Sequence, residues 1–321
     1  HRPELSQWIA NTAPESVDEA FELLDGNLRR SGKELTVSDR AVIWLATMLT
    51  QVSCVLAIVP IFLLIHQTCC REISWRVAVF WPLLPALAIF IPKSDVLFVL
   101  PAALLTWSWL VAARRQSFLI GAFAGAIGWC GLFCSLAFLP IGLIALLASL
   151  LLSVEFPEPG QHDSDSEATL KNVVRQMVMP VLLWKPLLGG ILAVVGVTLA
   201  VSDFCEMNLL NVWIHNYHNH AAFYAKFPRT IWKWWLANPL ELIVAAGVPV
   251  VFLAATSASR LFQSRVEAMR QPLLVSLLSI WTLLWLSGKN SGEAARLWCP
   301  LLPLLLAVAA GGLHRTADSA D

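Results

Sequence analysis

The sequence predicts an all-α polytopic membrane protein, with about nine transmembrane helices preceded by an amphipathic surface helix. Two observations predict this fold class. Of the 321 residues, 57% are hydrophobic and only 14% are charged, whereas soluble domains carry about 25% charged residues. Apolar runs of roughly 16–25 residues also recur along the chain, which is about the length of helix that crosses ~30 Å of hydrocarbon. The formal net charge is zero, so composition gives no indication of a nucleic-acid partner.

The first forty residues are polar and predict a helix that lies along the membrane surface. Ser16 followed by Glu19 is typical of a capping box at a helix start. The apolar residues that follow repeat at the spacing of a helix: Val17, Phe21, Leu24 and Leu28. Gly32 marks the expected end of this helix. We expect residues 1–40 to form an amphipathic juxtamembrane segment.

Nine apolar spans are predicted within a transmembrane domain of residues 41–313, and a polar tail follows at 314–321. Residues 118–152 are too long for one crossing, and Pro140 indicates where they divide. Several spans have fewer than about twenty residues, so their ends would depend on interfacial Trp or on neighbouring helices. The spans are 41–65, 77–92, 96–113, 118–136, 139–153, 186–202, 239–256, 272–287 and 298–313.

Lys and Arg near the span ends predict the orientation. One side receives simple basic loops, containing Arg114-Arg115 and the Arg residues of 260–270. On the other side, positive charges are mixed with acids, aromatic residues and histidines. We therefore assign the first side to the cytoplasm. The expectation is a multi-pass protein in contact with the lipid bilayer.

Two charged residues, Lys93 and Asp95, lie in the very short turn between the second and third predicted spans. An acid so close to hydrocarbon costs several kcal/mol unless it is paired, hydrated or functional. The alternative is local, since Ser94 or Asp95 at a helix start would favour the nearby amides and the helix dipole. A cap and a functional role are not exclusive.

A large outer loop is predicted at 203–238, and its histidines suggest two interpretations. His215, His218 and His220 lie close together, and imidazole binds zinc and related ions. No carboxylate or Cys completes a recognisable metal-ligand spacing. The other interpretation is a polar loop that rests on the membrane.

Aromatic and basic residues at the end of this loop also have two interpretations. Trp232, Trp234 and Trp235 are typical of an interfacial aromatic belt. Aromatic faces can alternatively pack against sugar rings, while Arg229 and Lys233 hold phosphate oxygens. The two interpretations overlap.

A charged stretch between two apolar runs includes Lys289, Glu293 and Arg296. Glu293 and Arg296 are three residues apart, so on a helical turn they would share a face and could pair. Such a pair could simply neutralise two charges at a helix entrance. Alternatively, Arg296 faces a cavity and binds an anionic group, with Glu293 orienting it.

The order of these motifs resembles the GT-C-type polytopic glycosyltransferases, in particular the protein mannosyltransferase-like group. Those enzymes commonly have a Pro-x-x-Asp-like turn that opens a span, a basic turn after it, and then a Gly/Ala-rich span. Here the matching residues are Pro92, Asp95, Arg114-Arg115 and the run GAFAGAIG. The segments NYHNHAAFY…PRTIWKWWLANPLE and SGKNSGEAARLWCPLLP resemble later parts of bacterial members, which implies the inner (cytoplasmic) membrane of a bacterium. Residues 1–40 look like the tail of the first outer loop of that family. The resemblance covers most of residues 1–313.

This resemblance implies transfer of a sugar from a polyprenyl-phosphate sugar to an acceptor on the extracytoplasmic face. In the family a catalytic acid lies in the first outer loop, so that acid and the first span would precede His1. Asp95 matches the acid near the donor phosphate or a divalent metal ion. Lys93, Arg229 or Arg296 would stabilise the departing phosphate.

The alternative class is a non-catalytic transporter, flippase or lipid-linked-sugar-binding protein. A transporter predicts ionisable residues at mid-span and broken helices. The spans here are almost free of charge, and the charged residues collect at one side. This distribution favours an interfacial enzyme.

Overall fold

The computed structural model describes residues 3–91, 93–152, 183–227, 230–259, 271–288 and 294–318. All regular structure in these ranges is helical, which confirms the predicted all-α class. Two 3-10 helices, Trp81–Leu83 and Cys299–Leu301, accompany the α-helices. In chain order the α-helices are α1 Pro3–Asn11, α2 Glu15–Arg29, α3 Val37–Leu56, α4 Ile58–Ile65, α5 Arg71–Ala78, α6 Pro85–Phe90, α7 Ser94–Leu97, α8 Val99–Arg115, α9 Phe118–Cys134, α10 Phe138–Leu152, α11 Trp184–Cys205, α12 Leu209–Lys226, α13 Ile231–Ala246, α14 Val248–Ala258, α15 Pro272–Leu286, α16 Ala294–Leu297 and α17 Leu302–Asp318.

The amino-terminal helices begin differently from the prediction. The expected capping box of Ser16 and Glu19 is wrong, because Pro14 occupies the N-cap position of α2 and no side chain caps this helix. The helix starts at Glu15, two residues too early for Ser16 to act as the cap, and the fixed φ of Pro14 is compatible with that start. A capping box instead opens α3, where Thr36 and Asp39 exchange hydrogen bonds of 3.1 and 3.0 Å.

Four continuous stretches are long and apolar enough to cross a membrane: Val37–Ile65, Arg71–Phe90, Asp95–Arg115 and Trp184–Cys205. A fifth candidate is α13 with α14, a pair bent by 112°. Four shorter apolar helices occupy Phe118–Cys134, Phe138–Leu152, Pro272–Leu286 and Cys299–Leu313. Length and composition thus support four or five spans in the described ranges and do not confirm the predicted count of about nine. The surface position predicted for the amphipathic helix likewise stays a prediction.

Two breaks in the helices bear on the predicted spans. The division of residues 118–152 is confirmed, because α9 ends at Cys134 and α10 begins at Phe138. The single span predicted at 239–256 is wrong in shape, since Gly247 separates α13 from α14 with a φ of 82°. Glycine adopts this conformation readily because it has no Cβ.

The helix α8 lies at the centre of the bundle and packs against α4, α9 and α10. Its buried positions are mostly small or aliphatic, including Val99, Ala102 and Ala103. Thr106 is also buried, and its hydroxyl donates to the carbonyl of Ala102 at 3.0 Å. Polar side chains that bond to their own helix in this way need no water inside an apolar bundle.

The helices α9 and α11 approach each other along a seam of glycines. A Cβ added at Gly121 would collide with the main chain of Pro186, and one at Gly125 with that of Gly190. A Cβ added at Gly189 would meet the carbonyl oxygen of Phe118. Small residues allow such close backbone contact between helices in a membrane. We refer to Gly121, Gly125 and Gly189 as the glycine seam.

The course of α8 defines two ends of the bundle. Asp95 lies just before its start, and Phe98 packs edge-on against Phe138 with ring centroids 6.0 Å apart. At its other end Arg114 donates to the carbonyl of Gln67 at 3.0 Å. We call these ends the Asp95 rim and the Arg115 rim.

Candidate functional site

Two residues singled out from the sequence, Asp95 and Arg296, form an ion pair at the Asp95 rim. The Nε atom of Arg296 lies 3.2 Å from Oδ2 of Asp95. The two side chains are 31% and 18% exposed, respectively. Asp95 is in the first turn of α7, and Lys93 rather than Ser94 or Asp95 occupies its N-cap position. Neither Ser94 nor Asp95 is therefore the N-cap residue, although Asp95 in the first turn is still placed to interact favourably with the helix dipole.

Glu241, a residue that the sequence analysis did not single out, holds the Arg296 helix in place. Its Oε2 atom accepts a hydrogen bond of 3.3 Å from the backbone N–H of Ala295. This bond connects α13 to α16, a helix of only four residues. An acid within the run WLANPLELIVAA meets the same criterion that identified Asp95, namely a charge at the edge of apolar sequence. Applying that criterion throughout would have found Glu241.

An open apolar groove of about 360 Å³ is lined by Ala295, the neighbour of Arg296, but not by Asp95 or Arg296 themselves. One wall comes from α6 and the other from α13, and Ala295 of α16 closes it. Its lining residues are Ile89, Phe90, Ala237, Leu240, Glu241, Val244, Ala245 and Ala295. Lys93 is also nearby, because its Nζ atom lies 5.9 Å from the centroid of the Phe90 ring. The groove thus combines apolar walls with a carboxylate and neighbouring cations.

Buried polar atoms occur close in sequence to two residues of this site, Glu241 and Arg296. Asn238 and Trp298 are each 1% exposed. Within the described ranges, Oδ1 of Asn238 and Nε1 of Trp298 have no hydrogen-bond partner. A buried polar group without a partner costs about 1–3 kcal/mol. The sequence analysis missed both residues, because neither amide nor indole groups stand out in an apolar run.

Tryptophans pack together at the same rim. The ring of Trp298 lies edge-on to Trp281, with centroids 5.5 Å apart, and Trp281 stacks on Trp285 at 5.8 Å. The indole N–H of Trp285 donates to the carbonyl of Trp235 at 2.9 Å. This cluster joins α13 and α15 to the segment that carries Arg296.

The predicted outer loop 203–238 is largely helical in its described part. It contains α12 and the start of α13. Trp213 donates to the carbonyl of Leu132 at 2.8 Å, so α12 lies at the Asp95 rim. His215 and His218 are exposed on α12, and no described contact joins them to Asp95 or Arg296. The side chain of His220 lies outside the described part.

Of the two basic residues predicted to hold phosphate oxygens, the structure describes only one. Lys233 is exposed in the first turn of α13, with Nζ 5.7 Å from the centroid of the Trp232 ring. Arg229 lies outside the described residues. Glu293 does as well, so its predicted pairing with Arg296 stays a prediction. In the described ranges no group of three or more His, Cys, Asp or Glu is arranged to hold a metal ion, and a divalent ion stays a prediction too.

Comparison with protein-family models, with curated proteins and with solved structures gives no match.

Proposed function

We propose that the protein is a membrane glycosyltransferase, which moves a sugar from a polyprenyl-phosphate donor to an acceptor on the extracytoplasmic face. The observation that carries this proposal is the Asp95–Arg296 ion pair beside an apolar groove. A lipid phosphate has the complementary chemistry, because it joins a long apolar chain to an anionic headgroup. The order of motifs shared with the GT-C-type enzymes supports the same function.

Arg296 supplies the cation for the phosphate. Its guanidinium carries several N–H donors in a fixed plane, so it can contact Asp95 through Nε and a phosphate through its terminal nitrogens. Asp95 then orients the guanidinium and lowers the cost of keeping a cation at the membrane edge. Glu241 acts as a positioning residue, because it holds the neighbouring Ala295.

The reaction breaks the bond between the anomeric carbon and the phosphate oxygen. An acceptor hydroxyl oxygen forms the new bond to that carbon and loses its proton to a base. The lipid phosphate leaves with the electron pair of the broken bond, so negative charge develops on its oxygen. We assign stabilisation of that charge to Arg296, with Lys93 as a second cation. We assign the role of the base that removes the acceptor proton to none of the described residues.

The membrane arrangement belongs to the same proposal. We infer that the four shorter apolar helices cross the bilayer together with the four long stretches and the bent pair, which gives about nine crossings. Neighbouring helices would compensate for the short spans. Reporter fusions after residue 93 and after residue 116 should then indicate opposite sides of the membrane, and the same side for both would refute this arrangement.

Binding of polyprenyl phosphate to the full-length protein in lipid nanodiscs tests the phosphate role. Tryptophan fluorescence would report binding, with uncharged polyprenol of equal length as the comparison ligand. A hydrogen bond to a charged group contributes about 1.5–3 kcal/mol, so R296A should weaken phosphate binding roughly tenfold to hundredfold. Polyprenol binding should not change.

The matched control is R76A. Arg76 also pairs with an acid, Glu72, but both side chains are exposed and belong to one helix. It should leave binding of both ligands unaltered. Equal losses for R296A and R76A, or an equal loss of polyprenol binding in R296A, would refute the assignment of Arg296 to the phosphate.

The alternative function is a carrier, flippase or non-catalytic binder of the same lipid. Proteoliposomes that contain the full-length protein and labelled lipid-linked sugars separate these possibilities. Sugar transfer to an acceptor supports the enzyme. Movement of intact lipid-linked sugar between leaflets without transfer would support the carrier, and binding alone would support the non-catalytic role.

A further inference from the structure

A second cleft lies at the Arg115 rim, at the end of the bundle opposite the ion pair. It has a volume of about 490 Å³, which is within the usual range of about 300–1,000 Å³ for small-molecule sites. The end of α4, the second half of α8 and the first turns of α9 form its walls. The proposed glycosyl transfer does not use it.

The mouth of this cleft is polar and basic. His66 follows directly on the apolar stretch Val37–Ile65, and Arg115 is the last residue of the stretch Asp95–Arg115. Gln67 also lines the cleft, and its side chain reaches toward the deeper wall, where Nε2 donates to the carbonyl of Trp107 at 3.4 Å. Among the described residues, Oε1 of Gln67 has no hydrogen-bond donor. The mouth therefore combines the guanidinium of Arg115 with the imidazole of His66, and both groups can donate hydrogen bonds to a phosphate.

The deeper walls are apolar. Trp107, Val111 and Arg115 follow at four-residue intervals along one side of α8, and all three line the cleft. Eight residues of helix correspond to about 12 Å, so the cleft extends about that far from its basic mouth. Leu119 and Phe123 of α9 complete the apolar wall. Polarity thus falls from the membrane edge inward.

We propose that this cleft binds an anionic glycerophospholipid of the surrounding bilayer. The phosphate lies at Arg115 and His66, and an acyl chain lies along Val111, Leu119 and Phe123. Charge complementarity and the polarity gradient favour this occupant, because a bilayer lipid has the same order of charge and hydrocarbon at the same depth. Such lipids attract basic side chains at membrane edges with about 1 kcal/mol for each Lys or Arg.

A simpler role for Arg115 is extension of its side chain to the interface, as Arg commonly does at helix ends. That role predicts attraction to any anionic surface, without a bound lipid and without dependence on the apolar wall. Arg71 is a suitable reference, because it is exposed at the start of α5, near the same rim, and does not line the cleft. Leu119 provides a separate test of the wall, since it is 77% exposed and carries no charge.

Native mass spectrometry of the full-length protein, released from nanodiscs that contain phosphatidylglycerol and phosphatidylcholine, tests the proposal. Wild type and R71A should each retain one phosphatidylglycerol in preference to phosphatidylcholine. R115A should retain it about fivefold more weakly, which corresponds to about 1 kcal/mol. L119W, which fills the apolar wall, should also lose the lipid while its charge is unchanged, and thermal unfolding would verify that each variant is folded.

Four results would overturn the proposal. These are retention of no lipid, equal retention of both lipids, equal losses in R115A and R71A, and full retention in L119W. Added polyprenyl phosphate provides a further control. Displacement of phosphatidylglycerol by an equal amount of polyprenyl phosphate would show that the occupant is wrong. Because R296A lies at the other rim and should not alter phosphatidylglycerol retention, failure of this proposal is distinguishable from failure of the proposed function.

Discussion

The two rims of the bundle use charged residues in different ways. At the Asp95 rim, Asp95 pairs with Arg296 and Glu241 bonds to the N–H of Ala295, so acids connect helices that are far apart in sequence. At the Arg115 rim, Arg114 bonds to a backbone carbonyl, and Glu72 pairs with Arg76 inside a single helix. Within the described ranges, neither Arg114 nor Arg115 forms an ion pair with an acid. At one rim, therefore, acids connect separate helices, whereas at the other rim two adjacent arginines have no acid as a partner among the described residues.

This difference has an energetic consequence. Loss of one member of a desolvated pair leaves a charge without its counter-ion, which is costly. Loss of one exposed charge changes little. The Asp95 rim should accordingly respond to single substitutions through stability and ligand binding together. The Arg115 rim should respond mainly through lipid binding.

The largest expected effect is that of G189A, which should disturb the Arg115 rim and leave the Asp95 rim unchanged. In G189A, the new Cβ meets the carbonyl of Phe118, so the first turn of α9 must move. Over-packing of this kind costs about 1–3 kcal/mol. Because that turn supplies Leu119 to the lipid cleft, G189A should weaken phosphatidylglycerol retention and leave binding of polyprenyl phosphate at the Asp95 rim unchanged.

The control for G189A is G196A in the same helix. A Cβ at Gly196 has no atom within 4 Å, so this variant should be neutral or stabilised by up to about 1 kcal/mol from helix propensity. Denaturant unfolding in detergent measures both variants. Equal stability of G189A and G196A would refute the idea that close packing at the glycine seam fixes the position of the first turn of α9.

An intermediate effect compares the two ion pairs directly. A double-mutant cycle with D95N and R296Q should give a coupling energy of about 1–2 kcal/mol, between the values for buried and exposed pairs. The matched cycle with E72Q and R76Q should give about 0.3–0.5 kcal/mol, as for exposed helix pairs. Unfolding free energies supply all the terms. Equal coupling energies in the two cycles would show that the Asp95–Arg296 pair is no stronger than the exposed Glu72–Arg76 pair.

The smallest effect concerns Glu241. E241A removes the acceptor for the N–H of Ala295 and should cost about 0.5–1.5 kcal/mol of stability. E241Q keeps an acceptor oxygen at that position and should cost less. If E241Q weakened polyprenyl phosphate binding more than E241A did, the carboxylate would have a role beyond positioning α16.

Much of the fold follows from patterns that are local in the chain. The apolar runs predicted helices whose ends agree within a few residues, as at Pro272–Leu286, which was expected at 272–287. The bend at Gly247 was missed, because a glycine between two apolar runs does not by itself indicate a change of direction. The motif of Ser16 and Glu19 predicted a capping box, but the helix begins after Pro14, and the box is found at Thr36 and Asp39 instead.

The site was predictable in part. Asp95 and Arg296 were identified separately, each from a charge at the edge of apolar sequence, but nothing local indicated that they form a pair. That contact depends on how α7 and α16 pack. Asn238 and Trp298 could not be found from the sequence, because their importance lies in the missing hydrogen-bond partners, which only the packed structure reveals.

The glycine seam also has a consequence for how this sequence can vary. Any substitution at Gly121, Gly125 or Gly189 adds at least a Cβ. Each of these positions faces main-chain atoms, which cannot rotate away as a side chain can. Even alanine, the smallest replacement, is too large at these three positions. The contact between the two helices therefore cannot change through a series of small substitutions, as most helix contacts can. When related sequences are compared, position 196 should vary freely while the three seam positions remain glycine.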